Sequence, residues 1–205
     1  LLGLGTVGGG VASILQSPSE RHPLVADLKL VRVAVRDLNR PRSVELPIEI
    51  LTTDPAVVVN DPAVDVVVEV IGGIEPARSL ILQAIAAGKS VVTANKAVIA
   101  RHGEEIADAA TKAGVYVLIE AAVGGGIPII EPLKQSLGGN RINRVSGIIN
   151  GTTNYILTRM AEEGAAYESV LKDAQELGYA EADPAADVDG LDAADKIAIL
   201  ANLAF

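Results

Sequence analysis

Leu1-Leu2-Gly3-Leu4-Gly5-Thr6-Val7-Gly8 is the stretch that decides the fold. An apolar pair leads into three glycines spaced G-x-G-x-x-G, and Val11-Ala12-Ser13-Ile14-Leu15 follows with helical spacing. Strand, glycine turn and helix, in that order, form the context a dinucleotide site requires. The first glycine permits the tight turn, the second lets backbone approach a pyrophosphate, and the third lets helix and strand pack closely. The helix N-terminus then offers free N–H groups and a positive dipole end to phosphate. A glycine turn with no ligand is the competing reading, and the flanking strand and helix favour the nucleotide. Gly3, Gly5, Thr6, Val7 and Gly8 are the candidate phosphate-facing residues.

Outward from that turn, residues 1–119 alternate strand and helix. Leu30 to Val35 reads as a strand, and Val64 to Val70 is the nearly continuous apolar run of a parallel strand buried on both faces. Pro76 to Ala87 reads as a helix with proline near its start and Gly88 at its end. Ser90 to Thr93 is a short strand, Arg101 to Ala113 a helix closed by Gly114, and Val115 to Ile119 a further strand. This alternation predicts an α/β fold, a Rossmann-type dinucleotide-binding domain with a parallel sheet. Ligands of such sheets sit at the carboxyl ends of the strands. Those ends are Gly3–Gly8, Arg36-Asp37, Ile71-Gly72-Gly73 and Thr93-Ala94-Asn95-Lys96, which adds Gly72, Thr93 and Lys96 to the candidates.

The stretch Glu120-Ala-Ala-Val123-Gly-Gly125-Gly-Ile127-Pro128 is small and flexible, and a domain boundary is expected there. Residues 120–205 then form the second domain, an incomplete α+β substrate or dimerisation domain. A helix is expected over 129–138, a strand over Arg141–Ile149, and a turn and cap at Asn150-Gly-Thr-Thr-Asn154 before a helix to Gly164. Another helix, Tyr167–Leu177, ends at Gly178, and a polar loop over 179–189 leads to a last helix from Leu191. Apolar patterns run into both ends of the chain, so it reads as a fragment truncated at both.

Composition narrows the function. With 205 residues, 49% of them hydrophobic, the chain can bury a core for one large domain or two small ones. Four Tyr, one Phe and no Trp leave no stacking platform for bases, and a net charge of −9 disfavours nucleic acid. No apolar run approaches the roughly 20 residues of a membrane span, and no secretory signal is visible. The absence of Cys fits a reducing compartment and excludes thiolate chemistry, and a cytoplasmic location is expected. His22 and His102 are the only histidines, so a three-His metal site is impossible. Acid/base work falls to Lys, Asp, Glu or Tyr.

Strand 2 ends Val35-Arg36-Asp37, with Arg40 and Arg42 beyond. An acid at this place takes the ribose 2′-OH of NAD, whereas an arginine accommodates the 2′-phosphate of NADP. Arg36 stands at the discriminating position and its planar fork suits a phosphate. Asp37 is the contrary sign, and a solvated loop of mixed charge is the plain alternative. NADP is preferred, with NAD tolerated.

In the second half, Glu176 to Lys196 carries the chemistry. Asp192 and Lys196 are spaced i,i+4 on the last helix and share a face. A lysine beside a carboxylate in a nicotinamide cleft can pass a proton to or from a substrate oxygen. Glu181 and Asp187 add charge that could hold a substrate ammonium. An acidic, solvated loop with a surface ion pair is the competing reading. A calcium loop is not, because neither Asp187 nor Asp183 starts a frame with glycine at its sixth position.

Together these segments resemble homoserine dehydrogenase. The resemblance rests on Gly3-Leu-Gly-Thr-Val-Gly8, Val92-Thr-Ala-Asn-Lys96-Ala97, Glu120-Ala-Ala-Val-Gly-Gly-Gly-Ile-Pro-Ile129 with Gly147-Ile-Ile-Asn-Gly-Thr-Thr-Asn-Tyr-Ile-Leu157, and Glu176 through Glu181, Asp183 and Pro184 to Lys196. It implies an oxidoreductase that reduces aspartate 4-semialdehyde to homoserine with NADPH or NADH, on the route to threonine and methionine. Lys196 matches the family's general acid/base. Glu181, Asp192 and, more weakly, Asp187 match residues that hold the substrate. Lys96 matches a lysine where cofactor and substrate meet, and Gly178 a backbone contact to the cofactor. Glu120, Val123, Gly125 and Ile127 match a monovalent cation site, sodium, built mostly from backbone oxygens. The resemblance also implies a homodimer in the full-length protein, a small-molecule substrate, and no nucleic-acid or membrane partner.

Two other functions stay open on residues alone. One is a different dehydrogenase on this fold, whose relatives commonly carry Glu-Lys-Pro where this chain has Ala94-Asn95-Lys96. The other is a dinucleotide sensor without turnover, which leaves Asp192 and Lys196 without a purpose.

Overall fold

Parallel pairing organises the first half of the chain. In the computed structural model, which describes residues 1–205, strands β1 (Val33–Ala34) and β2 (Leu51–Thr52) pair in parallel with Val33 opposite Leu51. Strand β3 (Val66–Glu69) pairs with β4 (Ser90–Thr93), and β4 with β5 (Val117–Leu118), both in parallel. Leu2 joins the two groups through single parallel bridges to Ala34 and Glu69. Counting Leu2 as the first strand gives the order 3-2-1-4-5-6, the arrangement of a Rossmann sheet. The order reverses at Leu2, so the crevice lies between the turn after Leu2 and the segment after Glu69.

Helices connect these strands: α1 (Thr6–Gln16), α2 (Pro55–Asn60), α3 (Ala77–Ala86) and α4 (Lys96–Ala113). Leu2, Val33, Val67 and Val91 are fully buried in the sheet, and Ile81, Ile85, Val98 and Ile106 are buried or nearly so on α3 and α4. Helix α4 starts five residues before the expected Arg101. Asn95 caps it by accepting from the Val98 N–H at 3.3 Å, and Gly114 ends it at φ 67°. His102 interrupts it with φ −131°.

The chain divides into two units, Leu1–Ala122 and Val123–Phe205. The second contains α5 (Gly151–Glu163), α6 (Tyr167–Glu176), α7 (Ala185–Val188) and α8 (Leu191–Ala204). Ile156, Val170, Ala174 and Ala180 form a core with Tyr155, Met160, Leu171 and Val188 packed on it. Two expectations change here. The helix expected over 129–138 widens into a π-helical turn, Pro132–Ser136, with the Leu137 N–H donating to the Pro132 oxygen five residues back. Residues 141–149, expected as a strand, have no ladder partner, because no element of 123–205 offers a strand edge. The polar loop 179–189 includes the short helix α7.

Candidate functional site

The glycine turn has the geometry of a phosphate cradle. A Cβ on Gly3, at φ 99°, would stand 2.9 Å from the Val70 oxygen, and one on Gly8 would stand 2.1 Å from the Gly3 oxygen. Both positions therefore exclude side chains for packing reasons. Gly5 differs: nothing lies within 4 Å of its Cβ position. It caps α1 without any side-chain hydrogen bond. Gly5, Thr6 and Val7 are exposed at the start of the helix, and Gly8 is buried beneath them. Open space over uncapped N–H groups is what a pyrophosphate needs, so the residues present fit a dinucleotide.

At the end of β1, the Asp37 carboxylate accepts from the Asn39 N–H at 2.8 Å and closes a tight turn. Arg42 binds the backbone oxygens of Leu38, Arg40 and Asp37. Asp37 and Arg42 thus shape the loop, and Arg36 is left exposed beside it. Across the crevice, Gly72 and Gly73 adopt φ 82° and 72°. Thr93 is fully buried at the end of β4, and Lys96 is the first residue of α4.

A second cluster lies in the second unit. Lys196 Nζ donates to Asp192 Oδ2 at 2.6 Å and to the Ile149 oxygen at 2.6 Å. The two side chains are only 19% and 11% exposed, so this is no solvated surface pair. Asn150 is 8% exposed and holds the other side. Its Nδ2 donates to Asp187 Oδ1 at 2.7 Å and to Asp192 Oδ2 at 2.9 Å, while its Oδ1 caps α5 through the Thr153 N–H at 2.8 Å. One amide therefore joins a helix cap to two carboxylates. These residues line a cleft of about 530 Å³ with Gly151, Thr152, Tyr155, Gly178 and Tyr179.

The cleft walls are braced from behind. Rings of Tyr155 and Tyr179 stand 5.0 Å apart, and the Thr152 hydroxyl donates to the Tyr179 oxygen at 2.7 Å. Arg159 donates to the Tyr155 hydroxyl, Asp173 and Glu163. These partners, Glu163 first, raise the guanidinium pKa, and Arg159 in turn lowers that of Glu163. Gly178, at φ 77°, turns the chain into the cleft.

The structure thus brings Asp187, Asp192, Lys196 and Gly178 together, and it adds Asn150, Tyr155 and Tyr179, which composition and spacing did not single out. Asn150 was legible as a cap only. Glu181 is exposed and does not line this cleft. Glu120 opens a short 3-10 turn, Glu120–Ala122, and Val123 is buried. Gly124 and Gly126 adopt positive φ, and the Ile127 N–H donates to the Gly124 oxygen at 2.6 Å. No group of three or more His, Cys, Asp or Glu side chains is placed to hold a metal ion.

Comparison with known proteins decides the family. Residues 3–120 match the family model for the NAD binding domain of homoserine dehydrogenase, and residues 128–205 match the model for homoserine dehydrogenase itself. The chain belongs to the homoserine dehydrogenase family. It is 67% identical over 205 residues to the homoserine dehydrogenase of Synechocystis sp., covering all of this chain and 47% of that protein. Against the homoserine dehydrogenase of Bacillus subtilis it is 50% identical over 207 residues, covering all of this chain and 48% of that one. The crystal structure of a homoserine dehydrogenase from Thiobacillus denitrificans superposes with a TM-score of 0.90 at 51% identity, over all of this chain and 48% of that chain. A hyperthermophilic archaeal homoserine dehydrogenase in complex with NADPH superposes with a TM-score of 0.71 at 33% identity, over 76% of this chain and 48% of that chain. The chain spans about half the length of the curated homoserine dehydrogenases it matches.

Proposed function

We propose that this chain carries the dinucleotide site and the acid/base lysine of a homoserine dehydrogenase. The full-length enzyme reversibly reduces L-aspartate 4-semialdehyde to L-homoserine, a step toward threonine and methionine. A bound NADPH, or NADH, supplies the hydride to the aldehyde carbon. Gly3, Gly5, Thr6, Val7 and Gly8 cradle the pyrophosphate, Arg36 takes the 2′-phosphate, and Gly72, Thr93, Lys96 and Gly178 border the rest of the cofactor. Arg36 favours NADP because the Asp37 carboxylate is committed to its own turn.

Lys196 protonates the carbonyl oxygen as hydride arrives, and in the reverse direction it takes the hydroxyl proton. One observation carries this role: two of the three ammonium protons are held, by Asp192 and the Ile149 oxygen, which leaves the third for a substrate oxygen. Such a fixed lysine supplies positioned proton transfer. Asp187 and Asp192 line the cleft and hold the substrate, with their negative charge matched to its ammonium; Glu181, exposed outside this cleft, joins them only in what the family resemblance implies. A monovalent cation, sodium, would take Glu120 and the backbone oxygens of Val123, Gly125 and Ile127, an all-oxygen set suited to a hard cation. The full-length protein is a cytoplasmic homodimer in this reading; no helix here is long and apolar enough to cross a membrane.

The test is turnover by the full-length protein. NADPH oxidation is followed with aspartate 4-semialdehyde and with a panel of other small aldehydes and ketones. Turnover confined to the semialdehyde supports the reading. A better substrate elsewhere in the panel would assign another dehydrogenase activity, and dinucleotide binding without turnover would leave a sensor.

A further inference from the structure

We infer that Glu69 and Asn95 are positioning residues that lock together the two loops flanking the nicotinamide half of the dinucleotide cleft, with the Thr93 hydroxyl as the link between them. The inference rests on the dinucleotide reading above.

Glu69 is fully buried and is the last residue of β3, bridged directly to Leu2 in the sheet. Burying a carboxylate is costly unless its oxygens are satisfied. Here Oε1 accepts from the Ile71 N–H at 2.8 Å, and Oε2 accepts from the Thr93 hydroxyl at 2.6 Å. Thr93 Oγ1 accepts from the Asn95 N–H at 3.0 Å on one lone pair and donates its single proton to the Glu69 carboxyl oxygen facing it. The Asn95 amide is equally determined. Its Oδ1 caps α4, and its Nδ2 donates to the Gly73 oxygen at 2.7 Å.

The bonds form a closed circuit from Ile71 through Glu69, Thr93 and Asn95 back to Gly73. It ties segment 71–73, after β3, to segment 93–96, which begins at the last residue of β4. Both lie at the carboxyl ends of strands in the second half of the sheet, where this fold places the second nucleotide of its cofactor. Lys96 follows Asn95 directly as the first helical residue, so the same lock sets where that side chain starts. The first half of the sheet, with Gly3–Gly8 and Arg36, lies outside the circuit.

Glutamine cannot replace Glu69 in this circuit. It has one acceptor oxygen, and its amide N–H groups would face the Ile71 N–H or deprive the Thr93 proton of its acceptor. Valine at 93 keeps the shape of threonine and removes the link. Serine keeps the hydroxyl.

The test uses full-length Glu69→Gln, Thr93→Val and Thr93→Ser proteins, titrated calorimetrically with NADPH and, separately, with 2′,5′-ADP and ADP, which lack the nicotinamide nucleotide. An unsatisfied buried partner should weaken NADPH binding by about ten-fold or more in Glu69→Gln and Thr93→Val. The adenosine fragments should bind those variants within about two-fold of wild type, and Thr93→Ser should bind NADPH within about three-fold of wild type. Unchanged NADPH binding overturns the inference. So does a parallel loss of NADPH and fragment binding, including loss through misfolding, because the circuit would then be scaffold rather than a nicotinamide-side lock. Wild-type protein that binds none of the three ligands would instead refute the dinucleotide reading itself.

Discussion

Alanine at each of three glycines in the first turn and the helix that follows it, Gly5, Gly8 and Gly10, should give three different outcomes. Gly8→Ala puts a Cβ 2.1 Å from the Gly3 backbone oxygen, far inside the 3.0 Å that Cβ atoms observe. Neither partner can yield without moving α1 off the sheet, so overpacking should cost about 1–3 kcal/mol or more. That corresponds to a fall of at least about 2–4 °C per kcal/mol in the unfolding midpoint for a chain of this size. Gly10→Ala lies on the same helix with nothing within 4 Å. It should gain up to about 1 kcal/mol from helix propensity. Gly5→Ala also meets nothing within 4 Å, and its φ of −84° suits any residue. Its stability should change by less than about 1 kcal/mol. The new methyl group would occupy the space over the helix N-terminus, and NADPH should bind at least about ten-fold more weakly. Gly10→Ala should bind NADPH as wild type does. Differential scanning calorimetry and NADPH titration on the full-length variants separate the three. Gly5→Ala with wild-type affinity would refute the cradle, and Gly5→Ala as unstable as Gly8→Ala would refute the packing argument.

Three other outcomes follow from particular contacts. Arg78 bonds Glu105 at 2.5 and 2.8 Å and Glu75 at 3.3 Å, linking α3 to α4. It lowers the pKa of Glu105, and with the Ser79 hydroxyl as the larger cause it lowers that of Glu75. A depressed carboxyl pKa stabilises the fold above the unfolded value of about 4.3 and loses that contribution as pH falls through the folded value. The midpoint gap between wild type and Arg78→Ala should therefore be full at neutral pH and close on acidification to about pH 3; a widening gap would contradict the assignment. Ile156→Ala, at 2% exposure in the second unit's core, should cost about 2–5 kcal/mol in denaturant unfolding. Arg36→Ala should lower kcat/KM for NADPH relative to NADH by about ten-fold or more, in line with a lost charge-assisted phosphate contact. An unchanged ratio removes Arg36 from cofactor choice.

Much of the first unit was legible in the sequence because its signals are local. Apolar runs mark strands buried on both faces, and glycines such as Gly88 and Gly114 mark helix ends with positive φ. Strand β2 escaped because two residues carry no period, and α2 escaped with it, although Asp54-Pro55 is a readable cap. In the second unit, the i,i+4 pair of Asp192 and Lys196 needs only helical spacing and was read directly. Asn150 reaches Asp187 and Asp192 across 37 and 42 residues, a relation that spacing cannot encode. Glu69 lies within the nearly continuous apolar run Val64–Val70 and carries no local sign of its role, which depends on Thr93 in the neighbouring strand. Residues 141–149 carry Ile142, Val145, Ile148 and Ile149, apolar enough to suggest a strand, yet pairing needs a strand edge and 123–205 contains none; residue type describes faces and not partners.

The central claim is that Lys196 moves the proton, and one comparison tests it most directly. Full-length wild type and Lys196→Ala are compared for turnover of aspartate 4-semialdehyde with NADPH, alongside NADPH affinity. Removal of a positioned acid should reduce kcat by about 10²–10⁴-fold while NADPH binding stays near wild type, because Lys196 lies outside the glycine cradle. A variant that keeps more than a few per cent of wild-type kcat would show that another group carries the proton.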